Sequence, residues 1–127
     1  MTEADLIWNR ACDGGADSVL PGDRSLSAML FFHSAAMNGG VLDALQCLTL
    51  EAIAAAELGY RFFGLDDVAS LLSEAKLLAK DECDLELLEA LEADLDRRYQ
   101  RLVPDDSILN QRFELALERE PSDFAPV

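Results

Sequence analysis

The spacing of the apolar residues limits this chain more than any other feature. In VLDALQCLTLEAIAAAELGYR, residues 41 to 61, the positions Leu42, Leu45, Leu48 or Thr49, Ala52, Ile53 and Ala56 recur by threes and fours. That period lines one side of a helix, because 3.6 residues complete a turn. The alanines of the segment allow a neighbouring helix to come close. No β-branched alternating run competes elsewhere, so the expected fold is all-α.

The same reading gives about six helices. Thr2 to Ala11 opens with a Thr2-x-x-Asp5 capping box and stops before Gly14-Gly15. A helix from Arg24 turns Leu26, Met29, Leu30, Phe32 or His33, and Met37 to one side and ends at Asn38-Gly39-Gly40. After residues 41 to 61, Gly64 breaks the chain and Asp66 is the expected N-cap of a helix from Asp67 to Lys80, with Val68, Leu71, Leu72, Ala75 and Leu78 inward. Asp84 to Leu102 follows, with Leu88, Leu91, Leu95, Tyr99 and Leu102 as its stripe and Pro104 as its stop. Ser107 to Glu120 is the last, presenting Leu109, Phe113, Ala116 and Leu117.

With 127 residues, half of them hydrophobic, the chain reads as one acidic helical domain, residues 1–127. A domain of this size buries roughly two thirds of its unfolded surface. It holds 25 Asp and Glu against 10 Lys and Arg, a formal net charge of −15. Such a field attracts basic surfaces, and it opposes direct nucleic-acid binding, which depends on Lys and Arg neutralising phosphates. The acidic start and the lack of a membrane-length apolar run lead us to expect a cytoplasmic protein with no membrane contact. Cys12, Cys47 and Cys83 are far apart beside a single histidine, which favours reduced, packed thiols over disulfides or zinc. The acids from Asp17 to Asp23 lack the glycine and terminal glutamate of a calcium loop. We therefore expect neither metal nor cofactor.

DECDLELLEALEADLD, Asp81 to Asp96, carries eight carboxylates and no base. Acids near a helix start suit the positive end of its dipole, which accounts for the first of them but not for those in the middle. Glu82, Glu86, Glu89, Glu92 and Asp96 are spaced 4, 3, 3 and 4, a row beside the leucine stripe. Each neighbouring like-charged pair opposes the helix by roughly 0.2 to 0.5 kcal/mol. A local rule broken without a local gain points to a partner. Charges along one helix lie about 5 Å apart, sparser than the ~3.4 Å between phosphates of a DNA strand. A DNA-like surface therefore needs a second row, from Asp66, Asp67 and Glu74 or from Asp105, Asp106, Glu114 and Glu118. A salt-adapted composition is the bland explanation of the same acids.

Asn38 to Ala75 resembles a family of small acidic bacterial helical proteins. The matching positions are Asn38, Gly39, Gly40 and Gly64, then Ala69, Leu71, Leu72 and Ala75 in an Ala-x-Leu-Leu-x-x-Ala helix. One branch of that family comprises DNA mimics that occupy DNA-binding regulators, so the resemblance implies a helical fold and, for that branch, a basic DNA-binding partner. His33 is the natural suspect for catalysis, but a lone histidine among aromatics is more often a satisfied core or helix-end residue. No nucleophile elbow or phosphate loop accompanies it. The expected function is thus non-enzymatic: an acidic module binding a basic protein, as a DNA mimic of a regulator's target or as an immunity or antitoxin-type inhibitor of a basic nuclease. A structural oligomer is the further alternative. A homodimer is also expected, because so apolar a short chain leaves faces to cover.

Overall fold

The computed structural model describes residues 1–14 and 18–127. Among these residues the chain forms seven helices and a short 3-10 turn, without a strand: α1 Glu3–Cys12, α2 Pro21–Gly39, α3 Val41–Cys47, α4 Leu50–Phe62, α5 Asp66–Ala79, α6 Leu85–Leu102 and α7 Asp106–Arg119, with the turn at Pro121–Asp123. They make one helical unit around α2, which packs against α1, α3, α4 and α7. Helix α5 rests on α4, and α6 rests on α5 and α3.

Thr2 and Asp5 close the capping box of α1 as their spacing predicts. Helix α2 begins three residues before the expected Arg24, because Pro21 supplies a φ already suited to the first turn. Of the acids from Asp17 to Asp23, Asp17 lies outside the described residues. Asp23 is buried inside α2, where it receives Arg10 at 2.9 Å and the Ala125 amide at 2.8 Å, tying the C-terminal segment to α1.

Leu26, Met29, Leu30, Phe32, His33 and Ala36 form the inward side of α2. Met37 departs from expectation: it is 60% exposed, and Ala36 takes the inward place. Gly59 allows α4 to approach α2, since a Cβ there would stand 2.6 Å from the Ser25 carbonyl oxygen.

The expected single helix over 41 to 61 is two helices. Leu48 is extended, and the Thr49 hydroxyl accepts the Ala52 amide, so Thr49 starts α4 where it was expected on the inward face. A threonine on an apolar face fits a helix interior or a cap equally well by spacing, and its hydrogen bond decides for the cap. Gly40 holds φ at 97° between α2 and α3, and Gly64 holds 76° after α4, both in the region where side chains are strained. Asn38 and Gly39 remain helical, in the last turn of α2.

Asp66 is the first residue of α5 and not its N-cap. Leu65 occupies the cap position without a side-chain bond, because it is drawn into the core after Gly64. Val68, Ala69, Leu71, Leu72 and Ala75 are buried, whereas Leu78 is 50% exposed where it was expected inward. In the last turn of α5 it is Ala79 that keeps contact with the core, and Leu77 beside Leu78 is 76% exposed. The three cysteines are free, as expected, but exposed and not packed. Cys12 and Cys47 end α1 and α3, where the chain leaves the core, and Cys83 lies in the turn before α6. No helix among the described residues is long and apolar enough to cross a membrane.

Candidate protein-binding face and a buried polar chain

Helix α6 begins where Asp84 accepts the amides of Glu86 and Leu87, at 2.9 and 3.2 Å. Glu82 precedes the helix, and its carboxylate accepts the Cys83 and Asp84 amides. It is therefore part of the turn and not of a row along α6. Asp96, at the other end of the expected row, reaches across to α3 and accepts the Val41 amide at 2.9 Å. That bond satisfies one of the orphan donors at the start of α3. Between these two ends stand Glu86, Glu89 and Glu92, all exposed. None has a cation within ion-pair distance among the described residues.

The expected second row is not a free one. Glu74 is joined by Arg98, which also approaches Asp94 at 3.7 Å, while Arg97 meets Asp94 at 2.8 Å. The bond to Glu74 raises the Arg98 pKa, against a smaller lowering by burial. The shallow groove between α5 and α6 is lined by Asp67 and Glu74 together with Arg98 and Arg101, so it carries both signs. Asp66 and Asp67 are exposed in the first turn of α5, where they suit its dipole. Asp105 caps α7 by accepting the Ser107 hydroxyl and amide, and these bonds lower its pKa. Glu114 accepts the Asn110 side-chain amide at 3.0 Å, and Glu118 is exposed on the same helix.

His33 is buried within a chain of polar groups that its sequence surroundings do not reveal. Its Nε2 lies 2.8 Å from Asp106 Oδ1, its Nδ1 lies 2.7 Å from the Tyr99 hydroxyl, and that hydroxyl lies 2.6 Å from the hydroxyl of Tyr60. With the imidazole neutral and its proton on Nε2, every group is satisfied: Tyr60 donates to Tyr99, Tyr99 to Nδ1, and Nε2 to the carboxylate. Burial raises the Tyr60 pKa well above the ordinary value, and the neighbouring Tyr99 adds to the shift. Burial also raises that of Tyr99 against the opposing effect of the Tyr60 hydrogen bond, with Asp106 adding to the rise.

The polar chain joins α2, α4, α6 and the start of α7. Both imidazole nitrogens are engaged, one by the Asp106 carboxylate and the other by the Tyr99 hydroxyl. Asn38 lines the shallow trough over His33 with Trp8, Cys12 and Met37. Asp43, in α3, accepts a bond from the Cys47 thiol at 3.5 Å.

Sequence reasoning placed Tyr99 on the stripe of α6 but missed its hydroxyl contacts. The signal was there: a tyrosine on an apolar stripe needs a partner for its hydroxyl, and so does a lone histidine among aromatics. Comparison with protein-family models, with curated proteins and with solved structures found no match.

Proposed function

We propose that this chain is an acidic protein-binding module that engages a basic protein surface through the N-terminal half of α6. The observation that supports this reading is the set Glu86, Glu89 and Glu92, exposed on one helix with no cation beside them among the described residues. Other acids of the region hold a helix end or an arginine, whereas Glu89 and Glu92 do neither and Glu86 has only the favourable dipole of the first turn. Three glutamates at spacings of three offset the helix by a few tenths of a kcal/mol per pair. A basic partner would convert that opposition into attraction across an interface.

The fitting partner is a DNA-binding regulator or a basic nuclease, whose cleft is built to meet negative charge. A DNA-like form of the surface would add Asp66 and Asp67 to the three glutamates, with Arg98 and Arg101 interrupting the groove between them. The module reading needs only the three. It assigns no catalytic residue and no cofactor.

Capture from a lysate of the native host at about 0.15 M salt tests the proposal. Immobilised wild-type protein should retain a basic protein that the variant carrying Glu86→Gln, Glu89→Gln and Glu92→Gln releases. Equal retention by both would remove this face from the account.

A further inference from the structure

Helix α4 carries an exposed apolar ridge on the side away from α2. Leu50 is 79% exposed, Leu58 69% and Phe62 37%, and Ala54 and Ala55 are exposed between them. Leu50, Ala54, Leu58 and Phe62 follow one another at intervals of four, the spacing of a ridge that packs into a facing helix. It runs for about 18 Å. Two charged residues flank it, Glu51 in the first turn and Arg61 in the last, and neither has an ion-pair partner among the described residues.

We propose that this ridge is covered by the same ridge of a second copy, the two α4 helices running antiparallel about a two-fold axis beside Ala56. The arrangement of residues argues for a second copy over a foreign protein. Leu50 and Phe62, Ala54 and Leu58, and Glu51 and Arg61 are all pairs symmetric about Ala56. An antiparallel two-fold therefore brings Leu58 of each copy to the level of Ala54 of the other, large against small. It also brings Glu51 to the level of its partner's Arg61, opposite signs together. A helix face selected for an unrelated partner has no reason to balance size and charge about its own centre, whereas an isologous interface must be self-complementary.

The ridge is distinct from the acid face. Helix α4 packs on α2 and α5, and it meets α6 on its buried side, through the Tyr60–Tyr99 hydrogen bond in the second half of α6, away from the glutamates. A dimer through α4 thus leaves Glu86, Glu89 and Glu92 of both copies open, and it does not rest on the function proposed above.

Sedimentation equilibrium of the full chain at micromolar concentration is the test, with Leu58→Glu and Ala54→Arg as variants. Both positions are exposed in the single chain, so circular dichroism should show unchanged helix content for each. Wild type should sediment as a dimer. Each variant should dissociate at least about thirty-fold more readily, the scale of a central interface residue. A monomeric wild type would overturn the proposal and leave the ridge to some other protein. A dimer unaffected by both variants would overturn it equally, by placing the contact elsewhere.

Discussion

Helix α6 changes character at Leu95. From Leu85 to Asp94 no residue is fully buried, Leu85 and Leu87 are 74% and 56% exposed, and three glutamates have no cation beside them among the described residues. From Leu95 onward, Leu95 and Tyr99 are buried, Asp96 holds the start of α3, and Arg98 is joined to Glu74 of α5. One helix thus contains a half that the fold buries and a half that it holds only by the partly buried Leu88 and Leu91. The difference shows that acid content alone says little about this protein. An acid at a helix end or against an arginine is part of the structure, and only those left over are candidates for a partner.

The largest expected effect separates the halves by packing. Leu95→Ala removes a fully buried side chain and should cost about 3 kcal/mol. Leu87→Ala, two turns earlier, should stay within about 0.5 kcal/mol. Urea unfolding of both variants checks the contrast, and equal losses would show that the first half is packed as firmly as the second.

Tyr99 sharpens it through polar contacts. Tyr99→Phe strips the hydroxyl that joins His33 to Tyr60, leaving buried partners unmatched at a cost of about 1 to 3 kcal/mol. The two tyrosines also fix a pH dependence. Their folded pKa values lie above the ordinary 10.0, so the folded chain keeps protons that the unfolded chain loses. Stability from this source is full below the unfolded pKa and is lost as pH rises toward the folded values. Phenolate absorbance should therefore appear together with unfolding. A tyrosine that ionises normally while the fold remains intact would contradict the buried chain.

A smaller contrast sets Asp96 against Glu92, four residues apart on α6. Asp96→Ala removes the acceptor for the Val41 amide and should cost about 1 kcal/mol, as loss of a helix cap does. Glu92→Ala should be neutral or slightly stabilising. Thermal melting of the two variants measures the difference, and a loss for Glu92→Ala comparable to that for Asp96→Ala would give the glutamate a structural role.

The divisions between these groups were only partly legible in the sequence. The core side of α6 was, because Leu88, Leu91, Leu95, Tyr99 and Leu102 repeat at the helical period and period alone assigns a face. So were Gly40 and Gly64 as turn residues and the start of α6 near Asp84. The break at Leu48 was hidden, because Leu48 or Thr49 continues the apolar pattern whether the helix runs on or restarts. The candidate face was legible as an excess of acids but not in its membership. Glu82, Asp96 and Glu74 share the spacing or charge of their neighbours. What removes them is a turn amide, an amide 55 residues away and an arginine 24 residues away. Such partners are set by how α3, α5 and α6 pack, and no local pattern encodes them. The polar chain from Asp106 to Tyr60 was out of reach for the same reason, since it needs four helices in register.

The central claim, that Glu86, Glu89 and Glu92 serve a partner and not the fold, is tested most directly by measuring the affinity of a captured basic protein for wild type and for the triple glutamine variant at two salt concentrations. The account predicts weaker binding by the variant and a flatter dependence on salt, with a melting temperature unchanged or slightly raised. Undiminished affinity with an unaltered salt dependence would contradict it.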